Sequence, residues 1–98
     1  MCSSDLVFAL TDSVALGAVR ALADQGLRCP EDVRVIGFDG IREGAMSIPS
    51  LSTVDISIDQ LARTAVDMLL TRINTPLAEL PGRRFTPPYT LIERESSR

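Results

Sequence analysis

The sequence predicts an α/β fold built on a parallel β-α-β core. Three observations carry that prediction. Two short runs, Leu6 to Leu10 and Val33 to Phe38, are apolar almost throughout instead of alternating, the pattern of strands buried on both faces of a parallel sheet. An amphipathic stretch lies between them and stops at Gly26 and Pro30. A third extended segment, Leu51 to Ile56, leads into a second, strongly periodic helix, Ile58 to Ile73.

Met1 to Asp5 looks foreign to the rest of the chain. Cys2-Ser3-Ser4-Asp5-Leu6 is the peptide that the end of a common sequencing adapter encodes, so residues 1–5 are expected to be non-native and the natural chain to extend further upstream. Leu6 to Leu10 is the first strand. Thr11, Asp12 and Ser13 come next, each able to cap a helix, with cap preferences favouring Asp12 as an N-cap over Asp12 as a ligand group. The helix runs from about Ser13 to Gln25, with Ala15, Val19 and Leu22 on one face and Ala18 beside them. Leu16 and Gly17 add a small apolar patch off that stripe. Gly26 suits the left-handed position after a helix, and Pro30 prevents continuation.

The second strand ends in Phe38-Asp39-Gly40. Open α/β sheets place ligand contacts at the carboxyl ends of their strands, so Asp39 is a candidate binding residue. The other reading is that Asp-Gly simply starts a turn. Ile41 to Ser50 is a loop or short irregular helix with Met46 and Ile48 as its apolar points. Ser57 and Gln60 read as a capping box for the second helix. Leu77 to Gly82 is a linker, and Arg83 to Arg94 is extended. Pro87-Pro88 suits an edge or connector, not a central strand.

At 98 residues the chain is one small domain or a piece of a larger one. A net charge of −3 argues against a large phosphate-binding face. No stretch approaches the length of a membrane span, and no basic, apolar leader is visible. With no histidine and two isolated cysteines, Cys2 and Cys29, neither a metal site nor a disulfide framework is expected. Free thiols fit a reducing cytoplasm.

Parallel strands bring their carboxyl ends to one edge of the sheet. Thr11 and Asp12 end the first strand and Asp39 ends the second, so the three converge on one rim, beside the free N–H groups of a helix start. Hydroxyl, carboxylate and N–H groups together suit a small polyhydroxylated or polar ligand. The second helix poses a different question. Ile58, Leu61, Val66, Leu69, Leu70 and Ile73 are worth roughly 9–18 kcal/mol if fully buried, at about 1.5–3 each. A whole domain has a net stability of about 5–15 kcal/mol, so this stripe must pack on something.

Several motifs, in order, resemble one family. Leu10-Thr11-Asp12-Ser13-Val14-Ala15-Leu16-Gly17-Ala18, Gly26-Leu27-Arg28-Cys29-Pro30-Glu31-Asp32-Val33, Val35-Ile36-Gly37-Phe38-Asp39, Pro49-Ser50-Leu51-Ser52-Thr53-Val54 and the ending Leu91-Ile92-Glu93-Arg94-Glu95-Ser96-Ser97 are similar to the lac repressor/galactose repressor family of bacterial transcription regulators. The resemblance implies a partial periplasmic-binding-protein-like fold, with residues 6–98 forming the C-terminal fragment of an effector-binding and dimerisation domain. It implies that the helix Ile58 to Ile73 packs on an N-terminal lobe, with crossings near Val54 to Ser57 and Leu80 to Phe85. A small-molecule effector, a sugar or a similar polar ligand, would meet Asp39, Thr11 and Asp12. Thr11 stands where many members carry Asn. A homodimer would use Leu16, Gly17 and Met46, for which ordinary helix packing is the other reading of Leu16 and Gly17. Operator DNA would be bound only through a separate N-terminal region. No catalytic residue, metal or cofactor is implied. A periplasmic sugar-binding protein of the same fold is the alternative. An α/β enzyme using Asp12 or Asp39 is disfavoured by the lack of a histidine, a phosphate loop or a clustered acid pair.

Overall fold

The computed structural model describes residues 5–76, 79 and 81–98. The expectations for residues 1–4, and for positions 77, 78 and 80 of the linker and second crossing, lie outside the described residues. The elements in chain order are β1 (Leu6–Phe8), α1 (Asp12–Asp24), β2 (Arg34–Asp39), α2 (Glu43–Met46), β3 (Ser52–Asp55), α3 (Ile58–Ile73) and β4 (Thr90–Ile92), followed by a 3₁₀ turn at Glu95–Ser97. The strands form one sheet in the order β1-β2-β3-β4. β1 and β2 are parallel, with Val7 opposite Val35, and β2 and β3 are parallel, with Gly37 opposite Thr53. β4 runs antiparallel to β3, with Val54 opposite Leu91. It is an edge strand, as the preceding prolines require.

α1 packs on one face of this sheet. Ala9, Ala15, Val35 and Leu51 form the buried core, and Leu16, Val19, Leu22 and Cys29 pack against it. The α1 stripe read from spacing therefore points inward, and Leu16 joins it. Gly37 makes the close approach possible. A methyl group there would overlap the Asp12 carboxylate and stand 3.1 Å from the Asp12 Cα and 3.2 Å from the Ala15 Cβ.

β1 departs from expectation. It spans three residues instead of five, and none is buried, with Leu6 54% and Phe8 59% exposed. β1 lies at the sheet edge, and among the described residues no layer covers the face that carries Leu6 and Phe8. A continuous apolar run encodes burial on both faces, and here only one neighbour strand is present.

The amino end of the sheet is held by the chain's last residues. Ser96 is fully buried. Its hydroxyl donates to the Val35 carbonyl at 2.6 Å and accepts the Ser52 N–H at 2.8 Å. Ser52 in turn accepts the Arg94 N–H through its own hydroxyl at 2.7 Å, and the Glu95 carboxylate accepts the Ser50 N–H at 2.8 Å. These bonds tie the 3₁₀ turn across β2 and β3.

α3 has the predicted bounds, but no residue of it is buried. Val66, Leu69, Leu70 and Ile73 are each about half exposed or more. The molecule measures 61 × 24 × 20 Å, with α3 reaching away from the sheet. The capping box does not form. Ser57 adopts left-handed backbone angles (φ 55°, ψ 65°) and makes no side-chain cap. Its N–H instead donates to Asp55 Oδ1 at 2.8 Å. The tight turn out of β3 decides this, because a cap residue needs extended angles to aim its hydroxyl at the first turn.

Candidate functional site

The parallel pairing of β1 with β2 brings the residues after both strands to one rim. Thr11 caps α1 from extended backbone angles (φ −143°, ψ 157°), and its hydroxyl oxygen accepts the Val14 N–H at 3.2 Å. The hydroxyl proton remains available to an acceptor. This corrects the preference for Asp12 as the cap, since Asp12 sits one residue further on, as the first residue of α1.

Asp12 is fully buried. Its Oδ2 accepts the N–H groups of Gly40 and Ile41, both at 2.9 Å, and its Oδ1 accepts the Thr53 hydroxyl at 2.7 Å. With both oxygens engaged and no accessible surface, Asp12 faces the protein interior, not the rim's solvent side. A helix start favours a carboxylate electrostatically, and three neutral donors complete its solvation. Sequence reasoning missed Thr53, Gly37 and the Gly40 and Ile41 amides as parts of this arrangement. The parallel register that sets Gly37 opposite Thr53 is the signal that would have exposed them.

Asp39 is the last residue of β2. Its φ of 123° is one that an L residue rarely adopts, at a cost of roughly 1–3 kcal/mol. Its side chain is half-buried. The hydrogen bonds at the rim go to Asp12 and Asp55, and among the described residues none engages the Asp39 carboxylate. Asp12 bonds the two amides directly after Asp39, so Thr11 and Asp39 are held next to bonded partners on the same rim. The expected convergence of Thr11 and Asp39 is the arrangement the chain adopts.

Two hollows are lined by residues next to Asp39 in the chain, and neither is lined by Asp39 or Thr11 themselves. A polar one of about 580 Å³ is lined by Gly40, Arg42, Asp55, Ser57 and Asp59, among others. An apolar one of about 530 Å³ is lined by Phe38, Val54, Ile56, Pro87, Tyr89 and Leu91, together with Thr86. Phe38 and Gly40 thus line different hollows, with Asp39 between them in sequence. Among the described residues no group of three His, Cys, Asp or Glu side chains is placed to hold a metal ion. Of the three residues read as a dimer surface, Leu16 packs partly on the core, whereas Gly17 and Met46 are exposed.

Ionisable groups elsewhere respond to local bonds. Arg28 pairs with Asp32 (Nε to Oδ2, 3.2 Å), which holds the Asp32 carboxyl below its ordinary value. The Ser50 N–H does the same for Glu95, and burial pushes the Cys29 thiol up.

Comparison with known proteins agrees with this architecture. A family model described as a periplasmic binding protein-like domain matches residues 3–97. The HTH-type transcriptional repressor MelR of Bacillus subtilis is 39% identical over 89 residues, which is 91% of this chain and 25% of MelR. A LacI family transcriptional regulator from Enterococcus faecium, solved with bound ribose, superposes with a TM-score of 0.84 at 33% identity, covering 98% of this chain and 35% of that one. The lac repressor dimer bound to operator and an anti-inducer superposes with a TM-score of 0.78 at 29% identity, covering 94% of this chain and 31% of that one. The chain spans about a quarter of the length of the curated relatives it matches.

Proposed function

The chain belongs to the periplasmic binding protein-like family, as an effector-binding domain fragment of the LacI/GalR type, and on that premise we propose that it is the ligand-sensing and dimerising part of a repressor-type transcription regulator. Its effector is a small polar molecule, a sugar. The observation that carries this reading is the Asp39 carboxylate: strained into place at the end of β2 and unclaimed by protein donors among the described residues, while its chain neighbours Gly40 and Phe38 line a polar and an apolar hollow. A sugar presents hydroxyl donors at its edges and apolar C–H faces, which suits such a setting. Asp39 accepts from a sugar hydroxyl and Thr11 donates to or accepts from a neighbouring one. Asp12 supports the rim from beneath.

The ribose-bound relative supports a sugar as the effector, and the operator-bound dimer supports a dimer acting on DNA. In this reading operator DNA is reached only through a separate N-terminal region. Gly17 and Met46, with the outer part of Leu16, contribute to the dimer surface, and the bare stripe of α3 packs on an N-terminal lobe. The regulator works in the cytoplasm and catalyses nothing. Effector binding shifts the lobes and alters operator affinity, a coupling of typically about 1–3 kcal/mol.

The test is Asp39→Ala in the full-length regulator. A charge-assisted hydrogen bond is worth about 1.5–3 kcal/mol, so sugar affinity falls roughly 12- to 150-fold while operator binding is retained. Unchanged induction in that variant would remove Asp39 from the site.

A further inference from the structure

The buried carboxylate of Asp12 does something that ligand contact does not describe. It is fully buried, and its donors are neutral: two backbone N–H groups at 2.9 Å and one hydroxyl at 2.7 Å. These donors come from the turn after β2 and from β3, and they meet at the first residue of α1. The two amides belong to Gly40 and Ile41, the residues directly after Asp39. Gly40 itself has φ 82°, so the chain passes through two consecutive positive-φ positions. An L residue stays in such a conformation only where its surroundings over-determine it, and here the Asp12 carboxylate supplies that determination.

We propose that Asp12 is a positioning residue for the effector site: by pinning the Gly40 and Ile41 amides it fixes the direction of the Asp39 carboxylate, so effector affinity depends on Asp12 without contact. The proposal rests on the reading of Asp39 as the effector-binding acid. Chemistry separates positioning from direct contact. In Asp12→Asn the side-chain oxygen still accepts both N–H groups, and the amide NH₂ faces the Thr53 hydroxyl, which rotates to accept. Positioning by hydrogen bonds survives that change, whereas a charge-dependent contact with a ligand does not.

The experiment compares the wild-type full-length regulator with Asp12→Ala and Asp12→Asn, by amide hydrogen exchange and by calorimetric titration with D-ribose. In Asp12→Ala, exchange at Gly40 and Ile41 rises at least about tenfold while α3 is unchanged, and ribose affinity falls at least about tenfold, as loss of bonds to a charged acceptor entails. Asp12→Asn stays within about threefold of wild type in both measurements. Unchanged exchange at Gly40 and Ile41 in Asp12→Ala overturns the proposal. So does a tenfold binding loss in Asp12→Asn with those amides still protected, and this second comparison decides the matter should Asp12→Ala not fold. If wild type does not bind D-ribose, ribose is not the sugar this site takes, and the exchange comparison decides whether Asp12 pins the two amides.

Discussion

Gly37→Ala tests the packing beneath the rim. Gly37 lies outside the positive-φ region, so the requirement for glycine is spatial. The added methyl would overlap Asp12 Oδ1, the oxygen that accepts the Thr53 hydroxyl, and would crowd the Asp12 Cα at 3.1 Å and the Ala15 Cβ at 3.2 Å. The carboxylate cannot swing toward water, because Asp12 has no exposed surface. Relief therefore needs α1 to lift from the sheet or the Asp12–Thr53 bond to break. Overpacking a filled site costs about 1–3 kcal/mol, and losing a hydrogen bond to a charged acceptor adds about 1.5–3. Taken together the substitution destabilises by roughly 2.5–6 kcal/mol, against a typical domain stability of about 5–15. Urea denaturation of the full-length protein, with the slope checked for constancy, measures this directly. A loss below about 0.5 kcal/mol, the range of a neutral surface change, would mean that α1 and β2 do not meet closely and that the Asp12 cluster is mispositioned.

Three further substitutions and conditions probe the rest of the domain. Ser96→Ala removes the donor to the Val35 carbonyl and the acceptor for the Ser52 N–H, so it destabilises by roughly 2–4 kcal/mol in the same denaturation assay; a value near zero would show that the tail does not hold β2 and β3. Glu95 titrates below its ordinary 4.5 because of the Ser50 N–H. A carboxyl lowered in the folded state stabilises above its unfolded value, and that contribution is lost as pH falls through the folded one. Thermal stability should therefore decline on acidification below about pH 4.5, less steeply in Glu95→Gln, and equal slopes would refute the link. The 98-residue chain by itself should bind a hydrophobic dye and self-associate through α3, where Val66, Leu69 and Ile73 stand 53%, 58% and 67% exposed. Sedimentation as a compact, dye-negative monomer would contradict this.

Much of the fold was legible in local pattern. The parallel β-α-β order, the bounds of α3 and the edge position of β4 follow from apolar periodicity and from two prolines, all short-range signals. The cap of α1 was not legible. Thr11 and Asp12 are both good cap residues, and the choice between them is settled by amides at Gly40 and Ile41 and a hydroxyl at Thr53, all far along the chain. Ser57 failed as a cap for a similar reason, since the turn forced by leaving β3 overrides its local preference. Ser96 gave no warning of its burial, because a hydroxyl in a polar tail looks like any exposed serine until β2 and β3 are paired in front of it. The rim itself was half visible: Asp39 and Asp12 could both be picked out, but Asp12 was read as a cap or ligand group and not as the buried acceptor of the Gly40 and Ile41 amides.

The antiparallel pairing of β4 with β3 has one more consequence. The chain leaves the sheet after Asp55 and returns at Thr90, and these two residues face each other across the ladder. Neighbouring strands sit only about 5 Å apart, so the intervening helix and its flanks behave as a detachable insert with coincident roots. A tight hairpin spliced between the two roots would leave the remaining strand register unaltered. The stretch carrying α3 could therefore be lengthened, exchanged or pruned without rethreading the rest of the domain.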